Sequence, residues 1–245
     1  MALQTWLGLA RSLAIYYGNP LRRRALARFY AGLLPPGALA FDVGAHVGNR
    51  TRALRAAGAR VVAVEPQHPF AGFLRHTLPR DVVLVEAAAG PAETVAEMAV
   101  SSLHPTVSSL RSGFAEQAAQ APGFGHVVWD RRQTVQVTTL DALIARHGRP
   151  DFIKIDVEGF ELDVLRGLSR PVPLIAVEYL PGLKSMTAEV IGHLATLGPY
   201  RFNAVRGEDG RFLWDDWRDA TATRAWLDGL MPQDRSGDLY ARLAG

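Results

Sequence analysis

The sequence predicts an α/β fold: a Rossmann-like, doubly wound, mostly parallel sheet with a C-terminal antiparallel hairpin and N-terminal helices. Three observations carry that prediction. Short apolar runs alternate with helical segments from residue 38 to residue 197. The runs end in acids, at Asp42, Glu65, Glu86, Asp156 and Glu178. The first run passes into a glycine-spaced turn, Asp42-Val-Gly44-Ala45-His46-Val-Gly48-Asn49-Arg-Thr51, that opens a helix.

Residues 3–17 and 21–34 read as helices separated by Gly18-Asn19-Pro20, and Pro35-Pro36-Gly37 ends the second. A strand over 38–43 leads to a helix over 48–57, which Gly58 closes. Residues 61–65 form the next strand, 70–78 a short helix, and 82–86 a third strand bounded by Pro79 and Gly90-Pro91. The alternation then breaks. Residues 94–100 and 134–139 are β-rich and enclose a loop carrying His104-Pro105, Ser108-Ser109 and Pro122-Gly123, which reads as an inserted antiparallel pair with a long excursion. Loops beyond about 12–15 residues in a compact domain are usually functional. Residues 140–146 are helical, Asp151-Phe-Ile-Lys154-Ile-Asp156-Val-Glu158-Gly159 is a strand ending in acids, and a helix follows over 161–168. Residues 174–178 repeat the strand pattern, and 187–197 form a helix capped by Thr187. Residues 200–205 and 211–214 pair as a hairpin across Gly207-Glu-Asp-Gly210, leaving 215–245 as loop and short helix. Residues 1–37 form an N-terminal helical segment and residues 38–245 the main domain.

Length and a 48% apolar share suit a folded globule with a substantial core. Without cysteine, disulfides and thiolate metal sites are excluded. Arginine outnumbers lysine 25 to 2, yet no basic stripe interleaved with aromatics marks a nucleic-acid surface, and no nucleic-acid partner is expected. Residues 1–35 hold Arg11, Arg22, Arg23, Arg24 and Arg28 and no acid, so this segment contributes +5 to a net charge of +3. No run approaches the ~20 apolar residues of a membrane span, and no cationic start precedes an apolar run as a secretory signal requires. The expected location is cytoplasmic. The segment reads as helices packing on the domain, with peripheral contact to an anionic membrane or a transit peptide as the other readings.

The turn places backbone N–H groups at a helix N-terminus beside the Glu65 carboxylate, which ends the next strand and suits a ribose diol. A dinucleotide site would show three glycines as G-x-G-x-x-G; here Ala45 replaces the second. Asp42 puts negative charge where a pyrophosphate would lie. An ammonium-bearing sulfonium fits better, so the residues favour S-adenosylmethionine over a nicotinamide cofactor. The alternatives are a nicotinamide-dependent oxidoreductase and a non-catalytic binding module on the same fold.

With these motifs assembled, the chain resembles the FkbM type of class I S-adenosylmethionine-dependent methyltransferase. The resemblance rests on the Asp42–Asn49 turn, Glu65-Pro66, Thr139-Leu-Asp141, Lys154-Ile-Asp-Val-Glu-Gly159 with Glu161, Val177-Glu178 and Ser236-Gly-Asp-Leu-Tyr240, spanning residues 38–240. It implies that Asp42, Gly44, Ala45 and His46, flanked by Gly48, Asn49 and Thr51, hold the amino-acid end of the cofactor. It likewise implies that Glu65, next to Pro66, binds the ribose, that Glu86, Ala87 and Ala88 lie near the adenine, and that Asp156 faces the methionine moiety and the acceptor. His46 stands where asparagine is commoner, and its titration is expected to make cofactor binding pH-sensitive. The implied activity is O-methyl transfer to a hydroxyl of a sugar, glycan or secondary metabolite.

Such a transfer needs alignment and a base. Asp156, Glu158 and Glu178 are candidates, with His104 from the inserted loop. Lys154, two residues before Asp156 on the same strand face, either steadies a developing alkoxide or neutralises Asp156 or Glu178. Glu158 is expected to complement a helix N-terminus, and no metal is expected. His126 and Trp129 border the loop and are weaker candidates for the acceptor pocket. Trp214, Trp217 and Trp226 read as packing residues.

Overall fold

The computed structural model describes residues 3–101, 108, 110, 128–207 and 209–244, with side chains from residue 7 onward. Two helices come first, α1 (Leu3–Tyr17) and α2 (Pro20–Leu33). The side chain of Asn19 accepts the Leu21 and Arg22 N–H groups, and Pro20 occupies the first turn of α2 where its missing donor costs nothing.

The main sheet contains β1 (Leu39–Val43), β2 (Arg60–Val64), β3 (Val83–Val85), β7 (Phe152–Ile155), β8 (Leu174–Tyr179), β9 (Tyr200–Arg206) and β10 (Gly237–Leu243), in the order β3-β2-β1-β7-β8-β10-β9. The first five in that order run parallel, and β10 and β9 are antiparallel to their neighbours. Crossovers are made by α3 (Asn49–Ala56), α4 (His68–Thr77), α5 (Leu140–His147), α6 (Glu161–Arg166) and α7 (Lys184–Leu197), with α8 (Ala220–Asp228) before the last strand. The order reverses between β1 and β7, where a doubly wound sheet opens a crevice.

A second, three-stranded sheet has the order β4-β6-β5, from β4 (Ala88–Ala89), β5 (Thr94–Val100) and β6 (Arg131–Thr138). β5 and β6 pair antiparallel from Thr94↔Val137 to Val100↔Arg131, as the inserted pair predicts; β4 is an addition. Most of the excursion between them, His104 and His126 included, lies outside the described residues, while Ser108 and Leu110 line the cavity described below.

The hairpin partner differs from expectation. Residues 211–214 form no ladder with β9 and meet it through the bridge Val205↔Phe212, the Leu213 N–H donating to Ala204 O and the Asn203 amide bonding Trp214. The strand paired along the whole of β9 is β10, from the segment read as loop and helix. β10 is buried through Ala241, so it lacks the alternation of a surface strand. Thr187 is not a cap: α7 starts at Lys184 after a tight turn at Pro181–Leu183, and Thr187 is buried within it.

Two apolar layers sandwich the main sheet. One holds Phe41, Ile153, Leu165, Ile175 and Ile191. The other holds Leu26, Tyr30, Leu34, Leu54, Phe152 and Tyr240, so α2 closes the back of the sheet. Phe29, Tyr30, Phe152, Phe212 and Tyr240 meet edge-on or tilted, and Phe152 stacks on Tyr240. Trp214 and Trp226 pack edge-to-face, while Trp217 lies against Phe212 and under Arg242.

Tyr30 has no exposed surface. Tyr30→Ala is expected to remove about 3–5 kcal/mol of unfolding free energy, the usual cost of truncating a buried aromatic. Urea denaturation followed by circular dichroism measures it, and a single shifted transition would place α2 within the cooperative unit.

Candidate functional site

A cavity of about 510 Å³ opens at the carboxyl ends of β1, β2, β7 and β8. Its narrowest construction point is Gly44, at φ +83°, where an added Cβ would lie 1.8 Å from the Asp156 carbonyl oxygen. The turn after β1 therefore abuts the end of β7, and only glycine fits between them. His46 and Glu158, at φ 51° and 52°, are the non-glycine residues with left-handed backbone among the described residues, and both line the cavity.

The predicted cofactor residues divide by position. Asp42, Gly44, Ala45, His46, Asn49, Glu65, Pro66, Ala87, Ala88 and Asp156 line the cavity. Gly48 and Thr51 stand behind it; the Thr51 hydroxyl donates to the buried Asp42 carboxylate. Glu86 departs from expectation. It lies one residue beyond β3 and pairs outside the cavity with Arg75, whose Nε donates to Oε1 at 2.7 Å, while Ala87 and Ala88 turn inward. Trp129 is not part of the lining among the described residues.

Glu65 is buried, with Oε2 accepting the His46 N–H at 2.7 Å and Oε1 the Gln67 N–H at 2.8 Å. Burial outweighs those two donors and lifts its pKa from 4.5 to about 7. Burial moves His46 the other way, to about 4, between the rings of Phe70 and Tyr16. Burial thus disfavours the protonated His46 ring, and the group displaced toward neutral pH is Glu65.

At the floor, Asp156, Glu158 and Glu178 place a carboxylate oxygen each within 4.8 Å of one another. Two like charges at that separation repel by about 3 kcal/mol at an effective dielectric constant of about 20, so full ionisation is disfavoured. Burial would raise Asp156, but the Lys154 ammonium and Arg50 guanidinium overcome it and hold the carboxyl below its usual range. Burial and the Asp156 charge push both Glu158 and Glu178 well above theirs. The negative charge is thus biased toward Asp156 and away from Glu158 and Glu178. The three oxygens also have the hard-ligand chemistry of a divalent-cation site. Helix N-terminal complementation falls to Glu161, not Glu158: Glu161 Oε1 accepts the Val157 and Gly159 N–H groups, both at 3.2 Å.

Lys154 is fully buried and does not reach the cavity. Its Nζ lies 2.9 Å from Asp238 Oδ1 and 3.4 Å from Asp156 Oδ2. Asp238 also binds Arg50 at 3.0 Å, and Arg50 Nη1 donates to the Tyr30 hydroxyl at 3.2 Å. Asp238 and Arg50 were missed by sequence reasoning as site residues. The Ser236-Gly-Asp-Leu-Tyr240 motif was the one signal available. Also missed were Ile15, Tyr16 and Arg22 from the N-terminal helices and Met98 from β5, which line the cavity. Gln133 of β6 ties the small sheet to the loop after β2, donating to Pro66 O at 2.8 Å.

These groups fit an adenosyl donor with a cationic end. The buried Glu65 carboxylate follows β2, the buried Asp42 lies in β1, and the His46 Nε2 is buried without a partner in the described structure. Sheet order and cleft define a Rossmann-like methyltransferase of the S-adenosylmethionine-dependent class. The methyltransferase FkbM domain profile matches residues 42–228. The chain belongs to that family, and S-adenosylmethionine is its cofactor. No curated protein matches significantly. Among solved structures, the chain is similar to a precorrin-6Y C5,15-methyltransferase from Geobacter metallireducens (16% identity over 91% of this chain and 87% of that one, TM-score 0.48). It is also similar to an O-methyltransferase from Bacillus cereus in complex with SAH (14%, 97% and 90%, 0.48). A TehB-like SAM-dependent methyltransferase from Corynebacterium glutamicum matches at 12% identity over 95% and 93%, TM-score 0.48. The family assignment rests on the profile match and not on these distant likenesses.

Because the folded-state value of Glu65 lies above that of the free side chain, its contribution to apo stability is complete below pH 4.5 and declines toward pH 7. Ribose hydroxyls donate to the ionised form. Affinity for S-adenosylhomocysteine should therefore rise severalfold between about pH 6 and pH 8, and Glu65→Gln should flatten that slope in isothermal titration. Lys154→Met leaves Asp238 with Arg50 as its one cation among the described residues and takes the Lys154 ammonium from Asp156, so it is expected to cost about 3–5 kcal/mol in chemical denaturation. Loss of turnover at unchanged stability would return Lys154 to a direct catalytic role.

Proposed function

We propose that this protein is an O-methyltransferase acting on a hydroxyl of a sugar, glycan or secondary-metabolite acceptor. The observation that carries this reading is the carboxylate trio Asp156, Glu158 and Glu178 on the cavity floor, adjoining the Gly44 turn. An alcohol must lose its proton as the new C–O bond forms, and a carboxylate is a fitting recipient.

S-adenosylmethionine supplies a methyl group on a sulfonium that departs as a neutral thioether. The chain's own residues do the rest. Asp156, kept ionised by Lys154 and Arg50, accepts the hydroxyl proton. Glu158 and Glu178, which burial and the Asp156 charge bias toward their protonated forms, orient acceptor oxygens through hydrogen bonds. The turn from Asp42 to His46 and the small sheet enclose the cleft and limit water, so positioning supplies several orders of magnitude of the rate.

Radiolabelled methyl transfer to a panel of hydroxylated acceptors tests the activity. Asp156→Asn should lower kcat by about 10²–10⁴-fold, the range of a removed general base. Glu158→Gln and Glu178→Gln, which mimic protonated acids, should stay within roughly tenfold. The reverse ranking would make a glutamate the base, and methylation confined to nitrogen acceptors would defeat the reading. Turnover is expected to survive a chelator; loss restored by magnesium would reassign the trio as metal ligands.

A further inference from the structure

The outer face of α1 is apolar where a solvent-facing helix would be charged. Leu7, Ala10, Arg11, Ala14 and Ile15 are exposed at the i, i+3, i+4, i+7 spacing of one helical stripe. The opposite stripe, Leu9, Ser12, Leu13 and Tyr16, packs toward Val47 and Phe70 of the domain. Leu21, at 70% exposure, extends the apolar surface into α2, and Leu7 and Ile15 are 54% and 57% exposed. Three of the seven large exposed hydrophobic residues among the described residues therefore fall within residues 7–21.

Arginines frame this patch. Arg22, Arg23, Arg24 and Arg28 are exposed on α2, and none forms an ion pair among the described residues. Residues 1–35 contain no acid to balance them. The patch also reaches the cleft, since Ile15 and Arg22 line the cavity.

We propose that α1 and the first turns of α2 form a docking surface for anionic lipid, seating Leu7, Ile15 and Leu21 in the acyl boundary and the arginines among headgroup phosphates. The pairing of apolar stripe and unbalanced cations is the composition of an interfacial helix. A second copy of the chain is a poor occupant, because a two-fold contact would bring two acid-free arginine clusters together. A nucleic acid would use the arginines but leave the leucines and Ile15 in water. Docked this way, the protein turns the cavity mouth toward the bilayer surface, where an amphiphilic acceptor is presented. The surface stands independently of the acceptor chemistry, and its failure would leave the methyl-transfer reading intact.

Flotation of the purified full chain with vesicles tests the surface. Recovery with phosphatidylcholine containing roughly 30% phosphatidylglycerol should exceed that with phosphatidylcholine alone by about tenfold. It should collapse at roughly 0.5 M salt, where charge attraction is screened. The double variants Leu7→Glu/Leu21→Glu and Arg24→Glu/Arg28→Glu should each abolish recovery while keeping far-ultraviolet circular dichroism and S-adenosylhomocysteine affinity. None of those four residues lines the cavity. Equal recovery from both vesicle types, or variants that float like the parent, would overturn the proposal. So would a concentration-dependent dimer dispersed by Leu7→Glu, which would assign the face to a second copy.

Discussion

A buried chain of charges, Tyr30–Arg50–Asp238–Lys154–Asp156, is the constraint on which the rest of the molecule depends. Removing each ion from water costs several kcal/mol, and only close pairing within a fixed frame offsets it. The links lie on α2, α3, β10, β7 and the cleft, so the elements can satisfy the charges only when all are in place. β10 is held between β8 and β9 partly because Asp238 must meet two cations. The same chain reaches the cavity floor through Asp156. Interior electrostatics thus decide which of the clustered acids carries the negative charge.

The cleft also stores conformational strain. A left-handed backbone costs a residue with a Cβ roughly 1–2 kcal/mol, and the described structure accepts that cost at His46 and Glu158, both lining one cavity. At His46 the conformation directs the backbone N–H onto Glu65. At Glu158 it turns the chain so that Glu161, two residues beyond Gly159, closes the turn through its side chain. Strained backbone and perturbed carboxyls coincide, the combination expected of a site held ready for a ligand.

Much of this was legible in the sequence because parallel strands buried on both faces read as unbroken apolar runs. β1, β2, β7 and β8 announce themselves in that way, and the acids after them mark the rim. Strand-end acidity alone does not say which way a side chain points. Glu86 follows β3 as Glu65 follows β2, yet one faces Arg75 outside and the other the cavity wall. Glu158 and Glu161 are alike in composition and differ in role through a φ angle that no spacing reveals. β10 was illegible for a different reason: Gly237, Asp238 and Arg242 look like loop chemistry, and only Arg50 and Lys154, distant in sequence, make Asp238 a strand residue.

The bias of negative charge toward Asp156 and away from Glu158 and Glu178 bears on why a cationic donor suits this floor. In the proposed transfer Asp156 begins as an anion and ends as a neutral acid, while the bound donor's sulfonium would become a neutral thioether. An opposite pair of charges is thereby extinguished inside a cavity that solvates charge poorly. Glu158 and Glu178, biased toward their neutral forms, oppose that change less than ionised carboxylates would, since three ionised carboxylates would hold the donor in its charged form. Lys154 and Arg50 set the balance: strong enough to keep Asp156 ionised, they also pair with Asp238 and so do not cancel the field that the cofactor meets.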